Sequence, residues 1–207
     1  MSITASPPLD TTEQVDTTEQ VDTQHWTAEE FYRAAAAGEF ADPDRLELVH
    51  GRLQRLMQGQ RHSNLRFRVS RRMRRVMDPP LFTRDENPLH VALDLVLIPD
   101  IMFTYQEEYE GRHPEPEDVA LLVEIADSSA EYDLGEKALL YAQAGIADYW
   151  VVLAEAQAIV VHRQSLPGGY QDVVRLAGAD TLSPLAMPQA RWTINELLGR
   201  TEASKEN

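Results

Sequence analysis

An apolar octapeptide in the middle of the chain places the strongest constraint on the fold. Residues 119–126 read Val-Ala-Leu-Leu-Val-Glu-Ile-Ala, so a strand formed here is apolar on both faces except at Glu124. Strands of this kind are covered on both faces, as the central strands of α/β sheets are. With 207 residues, of which 43% are hydrophobic, the chain can bury one core of the size that this covering requires.

Helix and strand signals surround the octapeptide on both sides. Capping boxes, turn dipeptides and apolar repeats of about 3.6 and about 2 residues mark the successive elements. The predicted elements are, in chain order, a helix from the Thr27 capping box to Gly38, a hairpin over 46–56 that turns at His50-Gly51, a helix over 60–77, a strand from His90 to Ile98, a strand over 101–105, the strand over 119–126, one helix from the Ser128 capping box to about Ala144, and strands over 149–153, 159–162 and 170–174. Helices that precede and interrupt a run of strands predict an α/β fold with a mixed β-sheet flanked by helices.

The chain divides into three predicted segments. Residues 1–25 carry a direct repeat, Asp-Thr-Thr-Glu-Gln-Val at 10–15 and again at 16–21, and are too polar to bury a core, which predicts a disordered acidic tail. Residues 26–200 are expected to form one domain, and residues 201–207 a second disordered tail. No apolar run approaches the roughly 20 residues of a membrane span, and a secretory signal pattern is absent, so we expect a soluble cytoplasmic protein with no membrane partner.

Residue usage narrows the chemistry. The chain has no cysteine, which excludes disulfides, thiolate metal sites and cysteine nucleophiles and leaves carboxylates, hydroxyls and six histidines. The formal net charge of −15 argues against phosphate binding by the surface as a whole but permits a local basic patch. Seven arginines between residues 61 and 75 form one, and a phosphate-binding face and an ordinary solvated helix face explain it about equally well.

Lysine is nearly absent from the chain. Of the 19 basic residues only two are lysines, and Lys137 is the one outside the polar C-terminal tail. One explanation of the isolated Lys137 is chance, in a chain whose composition prefers arginine. The other is a site at this position that needs a compact ammonium rather than a planar guanidinium. Composition alone leaves both explanations open.

Two carboxylates occupy unusual positions. Glu124 lies inside a strand that is otherwise apolar, so its charge needs a partner, which is either an arginine in a structural ion pair or part of a functional site. Asp100 follows Pro99, which interrupts a strand, and a carboxylate at such a break can point into a cleft. A Pro-Asp pair is also a common turn, so Asp100 alone does not identify a site.

Chain geometry directs Lys137 towards Glu124. The lysine lies ~13 Å along the predicted helix from its start, and Glu124 lies ~7 Å before the end of its strand, so a helix folded back on the strand brings them together. Asp133, four residues before Lys137, either pairs with it on the surface or holds its ammonium in place. Two carboxylates and an ammonium at a sheet end are the usual groups for Mg²⁺-assisted hydrolysis of phosphodiesters.

The order and spacing of several short motifs resemble a known family. The motifs are Leu46-Glu-Leu-Val-His-Gly51, His62, Pro99-Asp-Ile101, Leu122-Val-Glu-Ile125, Ser128, Asp133, Lys137, Tyr141, Gly145 and Asp148-Tyr-Trp150. Over residues 27–199 they resemble the large bacterial restriction-endonuclease family, formerly a domain of unknown function, in the PD-(D/E)XK nuclease superfamily. The resemblance implies a restriction-endonuclease-like fold, a Mg²⁺ or Mn²⁺ ion held by Asp100 and Glu124, and a catalytic role for Lys137.

The chain departs from the superfamily pattern two residues after Glu124, where lysine is expected and Ala126 stands. Lys137 on the following helix would have to replace that lysine. Glu47 resembles the first acidic residue of the motif set and is a further catalytic candidate by this resemblance. His62 and Asp133 are auxiliary candidates, although a histidine at a helix start is more often a cap or a core partner than a base.

The leading hypothesis is a Mg²⁺-dependent endonuclease that hydrolyses DNA phosphodiester bonds. Two alternatives stay open: a catalytically inactive nuclease fold that binds DNA or a protein, and a purely structural ion pair between Glu124 and Lys137. A symmetric homodimer would suit an enzyme that cuts both strands of a duplex, but the sequence contains no direct sign of one.

Overall fold

The computed structural model describes residues 18–20 and 24–199. The elements are, in chain order, β1 (Thr18–Gln20), α1 (Ala28–Ala36), β2 (Leu46–Val49), β3 (Arg52–Leu56), α2 (Gln60–Met77), β4 (Phe82–Asp85), β5 (Leu89–Ala92), β6 (Leu95–Leu97), β7 (Ile101–Thr104), β8 (Val119–Ala126), α3 (Ala130–Leu134), α4 (Glu136–Gln143), β9 (Asp148–Leu153), β10 (Ala158–Leu166), β11 (Gly169–Ala177), β12 (Thr181–Leu182), β13 (Trp192–Thr193) and α5 (Ile194–Leu198). Over these residues, none of the helices has the length and apolarity needed to span a bilayer.

Two sheets organise the fold. The larger has six strands in the order β11-β10-β9-β8-β7-β4, and it is mixed because β8 and β9 run parallel while the other neighbours run antiparallel. The smaller has five strands in the order β1-β3-β2-β6-β5, all antiparallel. The predicted α/β architecture with a mixed sheet and flanking helices is therefore confirmed.

Strand β8 occupies the interior of the larger sheet, and all eight of its residues are buried. Leu121, Val123 and Ile125 belong to the core that contains the buried residues of α2 and α5. Leu122 and Ala126 belong to a second core that contains Ala138, Leu140 and Tyr141 of α4. Since side chains alternate along a strand, Glu124 lies on the α4 face of the sheet.

Helix α2 packs on the larger sheet through one apolar stripe. Its residues Leu65, Val69, Met73 and Met77 are buried in the core that also contains Leu121, Val123 and Ile125 of β8. His62 precedes Leu65 by three residues, so it continues this stripe into the first turn of the helix, where it is also buried. His62 therefore lies on the same buried face of α2 as the apolar residues, and this face places it at the end of the sheet.

The segment from His90 to Ile98 is a hairpin rather than the single strand that was predicted. Strands β5 and β6 pair antiparallel, because the chain reverses at Leu93-Asp94. The Asp94 carbonyl accepts a hydrogen bond from the amide of Gly51, which ties this turn to the turn of the β2–β3 hairpin. Alternating apolar residues do not reveal such a reversal.

The predicted single helix from Ser128 to Ala144 was also wrong, because the chain forms two helices, α3 and α4, that meet at Gly135. The residue preceding α3 is Ser129, and its hydroxyl does not cap the helix but donates to the Asp133 carboxylate. Glycine is a poor interior helix residue, which permits the interruption.

The two predicted disordered tails lie largely outside the described residues. Residues 18–20, 24 and 25 are the exceptions within the first tail, and residues 18–20 form β1, which pairs antiparallel with β3 at the edge of the smaller sheet. The division into residues 1–25, 26–200 and 201–207 stays a prediction.

Candidate active site

Four of the predicted site residues meet where the chain passes from the smaller sheet to the larger one. Glu47 comes from β2, Asp100 from the turn between β6 and β7, Glu124 from β8 and Lys137 from the first turn of α4. Each is at most 3% exposed. Four elements distant in sequence thus deliver three carboxylates and one ammonium to one buried position.

The Lys137 ammonium is shared between two carboxylates. Its Nζ lies 3.0 Å from Oε1 of Glu124 and 2.9 Å from Oε1 of Glu47. The same Glu47 oxygen accepts a hydrogen bond of 2.8 Å from the amide of Ile98. The charge of Glu124 is therefore met by lysine, and within the described chain no arginine forms an ion pair with it.

Asp100 is fixed against β8 by its side chain and its backbone. Its Oδ2 accepts a hydrogen bond of 2.7 Å from the amide of Ile125 and lies 2.9 Å from Nε2 of His62. Its Oδ1 accepts a hydrogen bond of 3.3 Å from the Gln58 side chain. The Asp100 amide in turn donates to Oε2 of Glu124 at 3.2 Å. The two carboxylates are thus held side by side at the strand end.

Burial and mutual repulsion set the protonation of the site. Burial raises the pKa of Glu124 well above its usual value, and the Lys137 ammonium only partly opposes this because the Asp100 carboxylate adds to it. Burial alone would lower the pKa of Lys137, but Glu124, Glu47 and Asp133 together raise it well above its usual value. The lysine is therefore held as an ammonium. Tyr141 completes the surroundings of Glu124 by donating a hydrogen bond of 3.0 Å to Oε1.

Of the two roles predicted for Asp133, the surface pair with Lys137 is not formed, because Asp133 is buried and the ion pairs of Lys137 are with Glu47 and Glu124. The Asp133 carboxylate accepts a hydrogen bond of 2.5 Å from Ser129, and burial raises its pKa to about 6. The i, i+4 geometry is lost because Gly135 separates α3 from α4. Asp133 still lies beside the cleft, where its charge contributes to the raised pKa of Lys137.

A cleft opens onto this cluster. Asp100, Glu124 and Lys137 line it, whereas Glu47 is 0% exposed and lies behind the lysine. The cleft is also lined by residues that sequence reasoning did not assign to the site, among them Gln58, Asp127 and Tyr132. Their local sequence carries no signal, because a glutamine before a helix and a tyrosine within one are ordinary in both positions.

The donor set suits a hard divalent cation. Four buried carboxyl groups, those of Glu47, Asp100, Glu124 and Asp133, surround one buried ammonium, and among the described residues Oε2 of Glu47 has no hydrogen-bond partner. Within residues 18–20 and 24–199, no group of three or more His, Cys, Asp or Glu side chains is arranged to hold a metal ion. Mg²⁺ commonly needs only one or two carboxylates with water completing its octahedron, so Asp100 and Glu124 fit it without a closed protein cage.

Comparison with known proteins identifies the family. The profile of the Uma2 family, described as "Putative restriction endonuclease", matches residues 28–195. The chain belongs to the Uma2 family. Among solved structures, it is similar to one described as a putative nuclease belonging to DUF820 from Anabaena variabilis ATCC 29413, with a TM-score of 0.64 and 17% identity over 84% of this chain and 98% of that chain. No curated protein sequence matches the chain.

Membership of the Uma2 family confirms the resemblance drawn from the sequence motifs. The structural similarity shows a shared fold, since 17% identity is too low to carry more. The family description indicates a nuclease, and the Uma2 match extends over every residue of the cleft named above.

Proposed function

We propose that the protein is a divalent-metal-dependent endonuclease that hydrolyses DNA phosphodiester bonds. Asp100 and Glu124 would hold Mg²⁺ or Mn²⁺, and Lys137 would be the catalytic cation. The observation that carries this proposal is the position of Lys137 Nζ, 3.0 Å from Glu124 and on the wall of the cleft that Asp100 also lines. A structural ion pair alone has no need of a cleft or of a second carboxylate fixed beside the first.

Each residue has a role that its contacts support. Oδ1 of Asp100 and Oε2 of Glu124 each accept one hydrogen bond, so each retains a lone pair for a cation. A bound divalent ion would polarise the scissile phosphate and lower the pKa of a bound water. Lys137, held as an ammonium, would offset the negative charge that develops on the phosphate oxygens.

Two further residues would act on the position of these groups. Glu47 fixes the ammonium through its 2.9 Å contact, and because it does not line the cleft it would be a positioning residue. His62 fixes the carboxylate of Asp100 through its 2.9 Å contact with Oδ2, which leaves Oδ1 turned towards Gln58. Orienting contacts of this kind typically change metal affinity or activity by 10- to 100-fold, by analogy with other metal sites.

Cleavage of supercoiled plasmid in Mg²⁺ tests the proposal. We expect the wild type to nick the plasmid, and Asp100→Asn, Glu124→Gln and Lys137→Met each to lose roughly 100-fold or more in rate. Lys137→Arg should also fail, because a guanidinium does not fit a site that is 3% exposed and shaped around an ammonium. Asp118→Asn is the matched control, since Asp118 is a buried, paired carboxylate ~20 Å along β8 from Glu124.

Equal nicking by all variants would show that a contaminant or another site is responsible.

A second candidate function is an inactive nuclease fold that binds DNA or a protein. It is favoured by the burial of Lys137, because two carboxylates already hold its ammonium. Calorimetry with Mn²⁺ separates the two functions. Metal binding that Asp100→Asn abolishes supports the nuclease, whereas no metal binding with no nicking supports the inactive fold.

A further inference from the structure

Helix α2 is strongly basic in a strongly acidic protein. Its 18 residues include seven arginines and no acidic residue, while the whole chain has a formal net charge of −15. The arginines are at positions 61, 66, 68, 71, 72, 74 and 75. These arginines fall into two groups, those that form ion pairs with carboxylates of the protein and those that do not.

Three of these arginines are occupied by carboxylates of the protein. Arg66 lies 2.8 Å from Glu86, Arg74 lies 3.6 Å from Asp85, and Arg61 lies 3.4 Å from Asp127. The first two pairs tie α2 to the neighbouring segment at β4. These two ion pairs neutralise most of the positive charge on the side of α2 that faces β4.

The outer face of α2 carries charge without counterions. Arg68, Arg71 and Arg75 are exposed, and within the described residues none of them forms an ion pair. Their spacing of three and four residues places them along one side of the helix, and we call them the arginine stripe. Partial burial, together with repulsion from these three guanidinium groups, lowers the pKa of Arg72 between them.

The line of the arginine stripe, continued towards the start of α2, leads to Arg61 beside the cleft. Arg61 lies seven residues before Arg68, so it is on the same side of the helix, and its partner Asp127 lines the cleft. The stripe then extends from ~10 Å to ~21 Å beyond Arg61 along the helix axis. This length corresponds to about six phosphate charges of a DNA duplex, counted along the duplex axis.

We propose that the arginine stripe binds the phosphate backbone of duplex DNA beside the bond positioned in the cleft. This inference rests on the proposed function, because it takes DNA as the substrate. Guanidinium groups donate paired hydrogen bonds to phosphate oxygens, and an acidic protein needs such a local surface to overcome its overall repulsion of DNA. The exposed ring of Phe67, with Arg71 stacked 5.8 Å from its centroid, adds an apolar contact to this surface.

Fluorescence anisotropy of a labelled 20-base-pair duplex, measured in EDTA so that hydrolysis cannot occur, tests the proposal. The variant combines Arg68→Gln, Arg71→Gln and Arg75→Gln in the full chain. The control combines Arg33→Gln, Arg52→Gln and Arg175→Gln, which remove the same charge from exposed positions on other elements. Thermal unfolding verifies that both proteins are folded.

We expect the stripe variant to bind at least tenfold more weakly than the control. The slope of log affinity against log salt should fall by two to three for the stripe variant, because about three phosphate contacts are lost. Equal weakening of both variants, or no duplex binding by the wild type, would overturn the proposal. Because the measurement excludes metal, stripe-dependent binding without plasmid nicking refutes the nuclease alone, and nicking without stripe-dependent binding refutes the stripe alone.

Discussion

At Asp133, folding buries a carboxyl that no cationic side chain of the described residues contacts. The side chain is 4% exposed, and burial raises its pKa from 3.8 to about 6. A carboxyl whose pKa rises on folding binds protons more tightly in the folded state, so its ionisation costs stability. That cost is present at neutral pH and is relieved as the pH falls through about 6 towards 3.8.

Asp133→Asn should therefore stabilise the metal-free protein at neutral pH. We expect its free energy of unfolding to exceed that of the wild type by up to ~3 kcal/mol at pH 7.5, and the difference to shrink towards zero near pH 4. Urea denaturation in EDTA at several pH values measures this. Glu131→Gln, an exposed carboxyl on the same helix, is the control. A difference independent of pH would mean that Asp133 acts through packing instead.

At the scale of elements, the break between α3 and α4 sets the position of Lys137. Gly135 ends one helix and precedes the next, and Lys137 is the second residue of α4. A Cβ atom at Gly135 would lie 2.8 Å from the carbonyl oxygen of Glu131, closer than real side chains approach backbone. The absence of a side chain thus lets α4 start where its lysine reaches Glu124.

Gly135→Ala should disturb both stability and activity. We expect the free energy of unfolding to fall by ~1–3 kcal/mol, because α4 or the Glu131 carbonyl must shift, and plasmid nicking to fall with the displacement of Lys137. Gly168→Ala is the matched control, since its added Cβ meets nothing within 4 Å. Indistinguishable unfolding curves for the two variants would show that the break does not depend on this contact.

At the scale of the whole molecule, the buried cluster carries excess negative charge in a chain that is acidic throughout. Such a cluster destabilises the folded state in the absence of a cation. A ligand that binds only the folded protein raises its stability in proportion to the logarithm of its concentration over Kd. Metal binding should therefore be visible in the unfolding of the entire protein.

The wild-type Tm should rise when Mg²⁺ or Mn²⁺ is added. At a concentration about 100 times Kd the gain is about 2.7 kcal/mol, which corresponds to roughly 5–10 °C for a protein of this size. Differential scanning calorimetry at constant ionic strength measures the shift. Asp100→Asn should lose it and Asp118→Asn should retain it. A shift of the same size in both variants would place the metal elsewhere.

The sequence by itself determined the elements whose signals are local. The two-faced apolarity of 119–126, the apolar stripe of 60–77 and the capping box at Thr27 each predicted an element that the structure contains. Side-chain periodicity and capping depend on residues within a few positions of each other, so they can be read without knowledge of the fold. The unusual carboxylates were recognisable from their neighbours in the sequence, and the rare lysine was recognisable from composition, so neither needed knowledge of the fold.

Only the tertiary structure decided how these residues are partnered. The contact of His62 with Asp100 joins residues 38 apart, and the bond from Ile98 to Glu47 joins residues 51 apart. Such contacts depend on how the sheets and helices pack on one another, which composition does not predict. The reversal at Leu93-Asp94 was decided in the same way, since the Asp94 carbonyl accepts a hydrogen bond from Gly51 in another hairpin and such distant packing outweighs local propensity.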